Sequence, residues 1–195
     1  VDIGLQALSG AAERGTNFIY VCYDNEAYGN TGFQRSGSSP YGSLTTTTPT
    51  GKKEHKKDVP MIMAEHGIPY VATACVSFPL DFVAKLRKAK GIVGTKYIQV
   101  LTPCPPGWRF STEKSIEMGR LAVQTGIWAL YEIEGGKFKL NPPSSGFIDK
   151  TKRKPVNEYL KEQGRFSLMT PQDIDELRRW IDDSWEKYKK LQLNV

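Results

Sequence analysis

Apolar and polar positions alternate along the chain in two rhythms. Ile3, Ala7, Leu8 and Ala11 recur at helical spacing, which predicts a helix over residues 2–14 ended by Gly15. The apolar run Phe18 to Tyr23 follows at once as a strand. After it, residues 33–57 carry Ser36 to Ser39, Pro40, Gly42, Thr45 to Thr48, Pro49 and Gly51 with no apolar period, so a long loop is expected. A short helix opens near Asp58 with Pro60 in its first turn and Gly67 at its end, and residues 68–74 form the next strand. Ser77 and Pro79 begin a helix with Phe82, Val83, Leu86 and Ala89 on one face and Lys85, Arg87 and Lys88 on the other. Strand 97–101 follows, then a rigid loop from Thr102 to Arg109, and a helix over 115–125 closed by Gly126.

The order helix–strand, three times over, predicts an α/β fold: a doubly wound, mainly parallel sheet. A first helix that hands over to a strand is the second half of a βαβ unit, so a first strand is missing from the sequence and must come from another segment or chain. Residues 128–133 and 138–140, joined by Gly135-Gly136, read as a hairpin. Pro142 to Gly146 and the basic run 150–154 read as a linker, with a short helix over 155–163. A capping box at Thr170 to Asp173 starts a tail helix whose stripe is Ile174, Leu177, Ile181, Trp185, Tyr188 and Leu191. That stripe is expected to pack on the domain or on a partner. The division is a domain over 1–140 and a linker with a helical C-terminal extension over 141–195.

Composition changes little in this picture. At 39% hydrophobic and 25% charged, 195 residues are ordinary for a globular protein with a sizeable core. No apolar run approaches the ~20 residues of a membrane span. The net charge of +6 sits largely in Lys52 to Lys57, Lys85 to Lys90 and Lys150 to Lys154. Such runs are read as solvated faces, against a nucleic-acid footprint or a docking surface for an acidic partner; the absence of interleaved aromatics argues against nucleic acid. Cys22, Cys75 and Cys104 are odd in number and widely spaced, which fits a reducing cytoplasm better than a disulfide framework. Cys22 and Cys75 are read as structural, and His66 as an end-of-helix histidine.

Candidate chemistry lies at the carboxyl end of the first visible strand, in Asp24-Asn25-Glu26-Ala27-Tyr28-Gly29-Asn30-Thr31-Gly32. Ligands of open α/β sheets gather at strand carboxyl ends, and oxygen ligands suit Mg²⁺ and the phosphates that accompany it. The residues alone leave two readings open, a metal-diphosphate site and a plain turn rich in Asn and Gly.

This stretch, followed by Gln34-Arg35-Ser36, resembles the thiamine diphosphate loop of 2-oxoacid:ferredoxin oxidoreductases. The likeness continues through Thr45 to Pro49, His66 to Ala74, Cys104 to Trp108 and Gly119 to Val123, and covers residues 1 to about 140. The pattern is most similar to the β subunit of the pyruvate-type enzymes. The resemblance implies a thiamine diphosphate-binding fold and an Mg²⁺ ion held by Asn25, by the main-chain carbonyl of Ala27, and by an aspartate of a Gly-Asp-Gly motif that would belong before Val1. It assigns Asp24, Asn25, Ala27, Asn30, Thr31 and Gly32 to the cofactor, with Asn30, as the catalytic candidate, holding the diphosphate or the reacting group. Cys104 matches the fourth ligand of a [4Fe–4S] cluster, and three cysteines cannot complete such a cluster here. Gly29 stands where bulkier residues are common.

The implied activity is oxidative decarboxylation of pyruvate, or the reverse synthesis, with single electrons passing to [4Fe–4S] clusters and ferredoxin. Coenzyme A takes the acyl group. Oxalate, branched-chain 2-oxoacids and 2-oxoglutarate are the alternative substrates within the family. A basic nucleic-acid module and a non-catalytic assembly subunit are the alternatives outside it. The implied partners are the other subunits of a complex and the N-terminal portion of the same subunit.

Overall fold

Gly15 and Gly67 turn the chain after its first two helices, each with φ near +65° (64° and 68°), a conformation that side chains with a Cβ resist. The computed structural model describes residues 2–193. Helix α1 runs Leu5–Glu13, three residues later in its start than the spacing predicts, and hands over at Gly15 to strand β1, Phe18–Asp24. Helix α2, Val59–Glu65, is capped by Asp58, whose side chain accepts from the N–H of Met61. Strand β2, Tyr70–Cys75, helix α3, Pro79–Lys90, and strand β3, Thr95–Leu101, follow.

The sheet has five strands in the order β1-β3-β2-β4-β5. β3 is parallel to β1 on one side and to β2 on the other. Every residue of β2 and β3 is buried, as the near-continuous apolar runs of a doubly covered parallel sheet require. The expected hairpin is present as β4, Tyr131–Glu134, and β5, Lys137–Leu140. It extends the same sheet, with β4 antiparallel to β2. β1 is an edge strand, with Tyr23 at 79% exposure and Tyr20 and Val21 also open to solvent.

Alternate strand residues separate the core into two layers. Tyr70, Ala72, Ala74, Ile98 and Val100 pack against Ala89, Phe82 and Leu86 of α3. Val71, Tyr97 and Leu101 join Leu8 of α1 and Met63 of α2 in the larger cluster. That cluster also takes in Met118 and Ala122 of helix α5, Ser115–Gln124, and the C-terminal residues.

The polar face expected for α3 is partly reversed. Lys85 is 2% exposed while Val83 faces solvent at 40%. The Lys85 ammonium donates to the Thr73 carbonyl at 2.8 Å and to Asp81 at 2.7 Å. Thr73 lies just past Ala72, the last β2 residue in register with β4. A buried carbonyl there needs a donor, and lysine's apolar stem lets it reach one from inside the core.

Past the hairpin, short 3₁₀ turns at Ser144–Ile148 and Lys150–Lys152 lead to helix α6, Val156–Leu160, and on to the tail helix α7, Pro171–Leu193; the single-turn helix between β3 and α5 is labelled α4, Pro105–Trp108. The capping box is formed: the N–H of Thr170 donates to Asp173 and the N–H of Asp173 to the Thr170 hydroxyl. Leu177, Ile181 and Trp185 are buried in the main core, and Tyr188 stacks on Phe138 of β5 at 5.6 Å, so the tail packs on the domain.

Candidate functional site: the loop after β1

Asp24, the last residue of β1, turns its carboxylate inward. Oδ1 accepts from the N–H of Glu26 at 2.8 Å, closing an Asx turn. Oδ2 accepts from Gln99 Nε2 of β3 at 2.7 Å and from the Ser38 hydroxyl. Glu26 then adopts φ +62°, a left-handed conformation that costs a residue with a side chain about 1–3 kcal/mol. Its carboxylate is 3% exposed and lies 2.9 Å from Lys56 Nζ and 2.7 Å from Arg165 Nη2. Its carbonyl accepts from the Ser39 hydroxyl at 2.7 Å. Both flanks of the strained residue are held as well. The Asn25 carbonyl accepts from Trp108 Nε1 at 2.9 Å, and Asn25 Oδ1 accepts from the N–H of Ala27 at 3.3 Å.

The result is a loop rigid at its base and open at its rim. Asp24, Asn25 and Ala27 line one cavity of about 130 Å³ together with Asp2, Ser38 and Gln99. Among the described residues the Ala27 carbonyl accepts no hydrogen bond. Gly29 permits the close approach of the Asn25 amide, since a Cβ there would lie 2.8 Å from Asn25 Nδ2. Asn25 Oδ1 and the Ala27 carbonyl are hard, neutral oxygens of the kind Mg²⁺ takes alongside phosphate oxygens, so the residues present fit a diphosphate-bound Mg²⁺. Among the described residues there is no group of three or more His, Cys, Asp or Glu side chains that could hold a metal ion alone.

Asn30, Thr31 and Gly32 occupy a different place. They form the exposed tip of a turn closed by reciprocal bonds of 3.0 Å between Tyr28 and Gln34, outside the lining of that cavity. Past the tip, Phe33 brings its ring against Gly107 of α4, where an added Cβ would fall 1.5 Å from Phe33 Cε2. Cys104, half-buried and free, is the residue before α4. The Cys104 turn therefore touches the loop after β1 twice, through Gly107 and through the Trp108 indole. Cys22 and Cys75 lie in β1 and at the end of β2, where burial raises both thiols above their ordinary pKa. His66 closes α2, its ring within hydrogen-bond distance of the Ile62 carbonyl and the Ser9 hydroxyl, as an end-of-helix residue.

The run Lys52 to Lys57, expected as a solvated face, is divided. Lys52 is 2% exposed and donates to the Ser39 carbonyl at 2.7 Å; burial, with Arg35 nearby, pushes its pKa down to about 8. Lys56 lies under the loop, 4.6 Å from the Trp128 ring centroid. Its carboxylate partners more than offset the cost of burial and raise its pKa. The loop's charges draw these lysines inward. Glu26, Lys56, Gln99, Trp108 and Arg165 carry the base of the site, and the sequence reading assigned a role to none of them. No local pattern marks Arg165, which stands in the polar stretch Lys161-Glu162-Gln163-Gly164 before Phe166.

A mixed sheet, parallel at its core and covered by helices on both faces, with an oxygen-rich loop at a strand's carboxyl end defines a cofactor-binding α/β domain. Residues 1–100 match the thiamine pyrophosphate enzyme family, C-terminal TPP binding domain, and the chain belongs to that family. It is 54% identical over 195 residues to ketoisovalerate oxidoreductase subunit VorB of Pyrococcus horikoshii, covering 97% of this chain and 61% of the relative. It is 55% identical over 197 residues to pyruvate synthase subunit PorB of Methanocaldococcus jannaschii, covering 98% and 63%. The chain thus spans less than two thirds of the length of these relatives. Among solved structures it is similar to the 2-oxoglutarate:ferredoxin oxidoreductase of Magnetococcus marinus, with a TM-score of 0.51 and 25% identity over 60% of this chain and 47% of that one. No helix among the described residues is long and apolar enough to cross a membrane.

Proposed function

We propose that the chain is the metal-and-diphosphate half of the thiamine diphosphate site in a cytoplasmic 2-oxoacid:ferredoxin oxidoreductase acting on pyruvate. The observation that carries this reading is the loop after β1, braced from below, with Asn25 and Ala27 lining one cavity and the Ala27 carbonyl accepting no hydrogen bond among the described residues. Asn25 Oδ1 and the Ala27 carbonyl would hold Mg²⁺, and through it the diphosphate. Asp24 braces them from beneath, while Asn30, Thr31 and Gly32 would border the cofactor from the exposed turn. A bound thiamine diphosphate supplies the electron sink for 2-oxoacid decarboxylation. Cys104 would give one thiolate to a [4Fe–4S] cluster completed by cysteines from elsewhere, in contact with the loop through α4. Ferredoxin as electron acceptor and coenzyme A as acyl acceptor belong to the same reading. So does a parallel strand, supplied from outside these residues, on the free edge of β1. Residues 1–140 would form the cofactor-binding unit and 141–195 its extension.

Branched-chain 2-oxoacids are the second reading, supported by a VorB relative as similar to this chain as the PorB relative and by the small Gly29 beside Asn25. The intact complex is expected to contain thiamine diphosphate, Mg²⁺, iron and sulfide, and to turn over pyruvate faster than 2-oxoisovalerate. Asn25→Ala should weaken Mg²⁺-dependent cofactor retention, and Cys104→Ala should deplete one cluster while sparing the cofactor. A complex holding neither thiamine diphosphate nor iron and sulfide would overturn the enzyme reading; a preference for 2-oxoisovalerate would select the second.

A further inference from the structure

Arg165 comes from a short 3₁₀ turn, Gly164–Phe166, in the C-terminal part of the chain, yet it ends beneath the loop after β1. Its residue exposure is 1%. Nη2 lies 2.7 Å from Glu26 Oε2 and donates to the Tyr159 hydroxyl at 2.9 Å, while Nε donates to Gln163 Oε1 at 2.9 Å. The remaining nitrogen, Nη1, has no hydrogen-bond partner among the described residues. The guanidinium instead lies on the Trp108 ring, with Cζ 3.8 Å from the centroid. Trp108 in turn donates to the Asn25 carbonyl. One side chain therefore grips both halves of the strained segment, Glu26 by charge and Asn25 through the indole. The backbone of the turn is wedged in place too, since the Leu44 N–H donates to the Arg165 carbonyl at 2.7 Å and the Gly164 N–H to the Arg109 carbonyl at 3.0 Å.

We infer that Arg165 is a positioning residue for the metal half of the site: stacked on Trp108 and paired with Glu26, it fixes the left-handed turn that aims Asn25 Oδ1 and the Ala27 carbonyl at Mg²⁺. This rests on the thiamine diphosphate reading above. A planar, always charged guanidinium can pair with Glu26 and lie flat on Trp108 at once, whereas lysine can only pair. Lys56 already supplies a cation to the same carboxylate, so what Arg165 adds is direction.

The test is Mg²⁺-dependent retention of thiamine diphosphate by the purified, assembled complex, with wild type, Arg165→Lys and Arg165→Gln compared after dialysis against graded Mg²⁺. In Arg165→Lys the Mg²⁺ concentration for half retention is expected to rise about 10-fold, the scale on which partners of metal ligands act. Retention returns fully at high Mg²⁺, and the melting temperature in the presence of chelator stays close to wild type. Arg165→Gln shifts the midpoint further, and adding Glu26→Gln to Arg165→Lys changes it by less than the two single effects combined. An unshifted midpoint in folded Arg165→Lys overturns the inference, as does a loss that no Mg²⁺ concentration restores. Should Arg165→Gln not assemble, Arg165→Lys decides alone. A wild-type complex that holds no thiamine diphosphate at any Mg²⁺ concentration overturns the underlying reading instead, and is recognised before any variant is compared.

Discussion

Asp2 precedes α1, yet its carboxylate holds the opposite side of the candidate site. It accepts from the N–H of Gly37 at 2.6 Å and from the Tyr28 hydroxyl at 3.2 Å, and pairs with Lys57. Gly37 is required there, because an added Cβ would lie 2.4 Å from Asp2 Oδ1. Burial acts to raise the Asp2 pKa, but the Lys57 ammonium, the Gly37 N–H and the Tyr28 hydroxyl together outweigh it and hold the pKa at about 2, below the ordinary 3.8. A folded pKa below the unfolded one means that Asp2 stabilises the fold above pH 3.8 and that this contribution is lost as the pH falls through about 2. Denaturant unfolding of wild type and Asp2→Asn is therefore expected to show a stability gap at neutral pH that closes between pH 4 and about 2. A gap that stays constant through that window would remove the carboxylate from the account.

Between elements, the decisive contact is the one joining the turn at Phe33 to α4. Gly107→Ala would push a methyl group into the Phe33 ring. Overpacking of this kind typically costs about 1–3 kcal/mol. Adding Phe33→Ala restores the space, so the double variant should lose less than the sum of the two single losses in chemical denaturation; strict additivity would mean that the two residues do not share this contact. The elements themselves were legible wherever local chemistry sets them. Gly15, Gly67 and Gly126 end their helices, Gly135-Gly136 turns the hairpin, and the Thr170–Asp173 box starts α7. The loop after β1 was legible as oxygen-rich and placed at a strand end. Three things were not. A single turn such as α4 is too short to show a helical period, so its prolines read as a loop. The inward Lys85 answers a carbonyl on another element, and amphipathic spacing cannot register that. Arg165 and Glu26 meet from distant parts of the chain, and Asp24 turns inward for partners on β3 and on the loop after it. Such pairings exist only after folding, which is why the sequence, through its family resemblance, points to the loop that carries Asn25 and Ala27 and not to the residues that brace it.

Across the whole molecule, residues beyond 140 complete the same core as those before it. Leu177, Ile181 and Trp185 of α7 are buried against the body of the domain, and covering three large apolar side chains is worth on the order of 6 kcal/mol. The net stability of a domain is only about 5–15 kcal/mol. Deleting residues from Pro171 onward should therefore abolish the cooperative thermal transition seen by circular dichroism, and a truncated protein that melts like the parent would show the extension to be separable. Lys52 and Lys85 are buried and Lys56 is largely covered, so the basic runs expose less positive charge than their sequence suggests. At the other side of the sheet, among the described residues, β1 pairs with a strand on one edge only and leaves the other edge beside the exposed Tyr20, Val21 and Tyr23. Natural proteins blunt such edges with charge, proline or a bulge, and along Phe18–Asp24 the only charge is Asp24, which faces inward. These 195 residues in isolation would consequently self-associate through β1, and their solubility would depend on concentration more steeply than a net charge of +6 suggests.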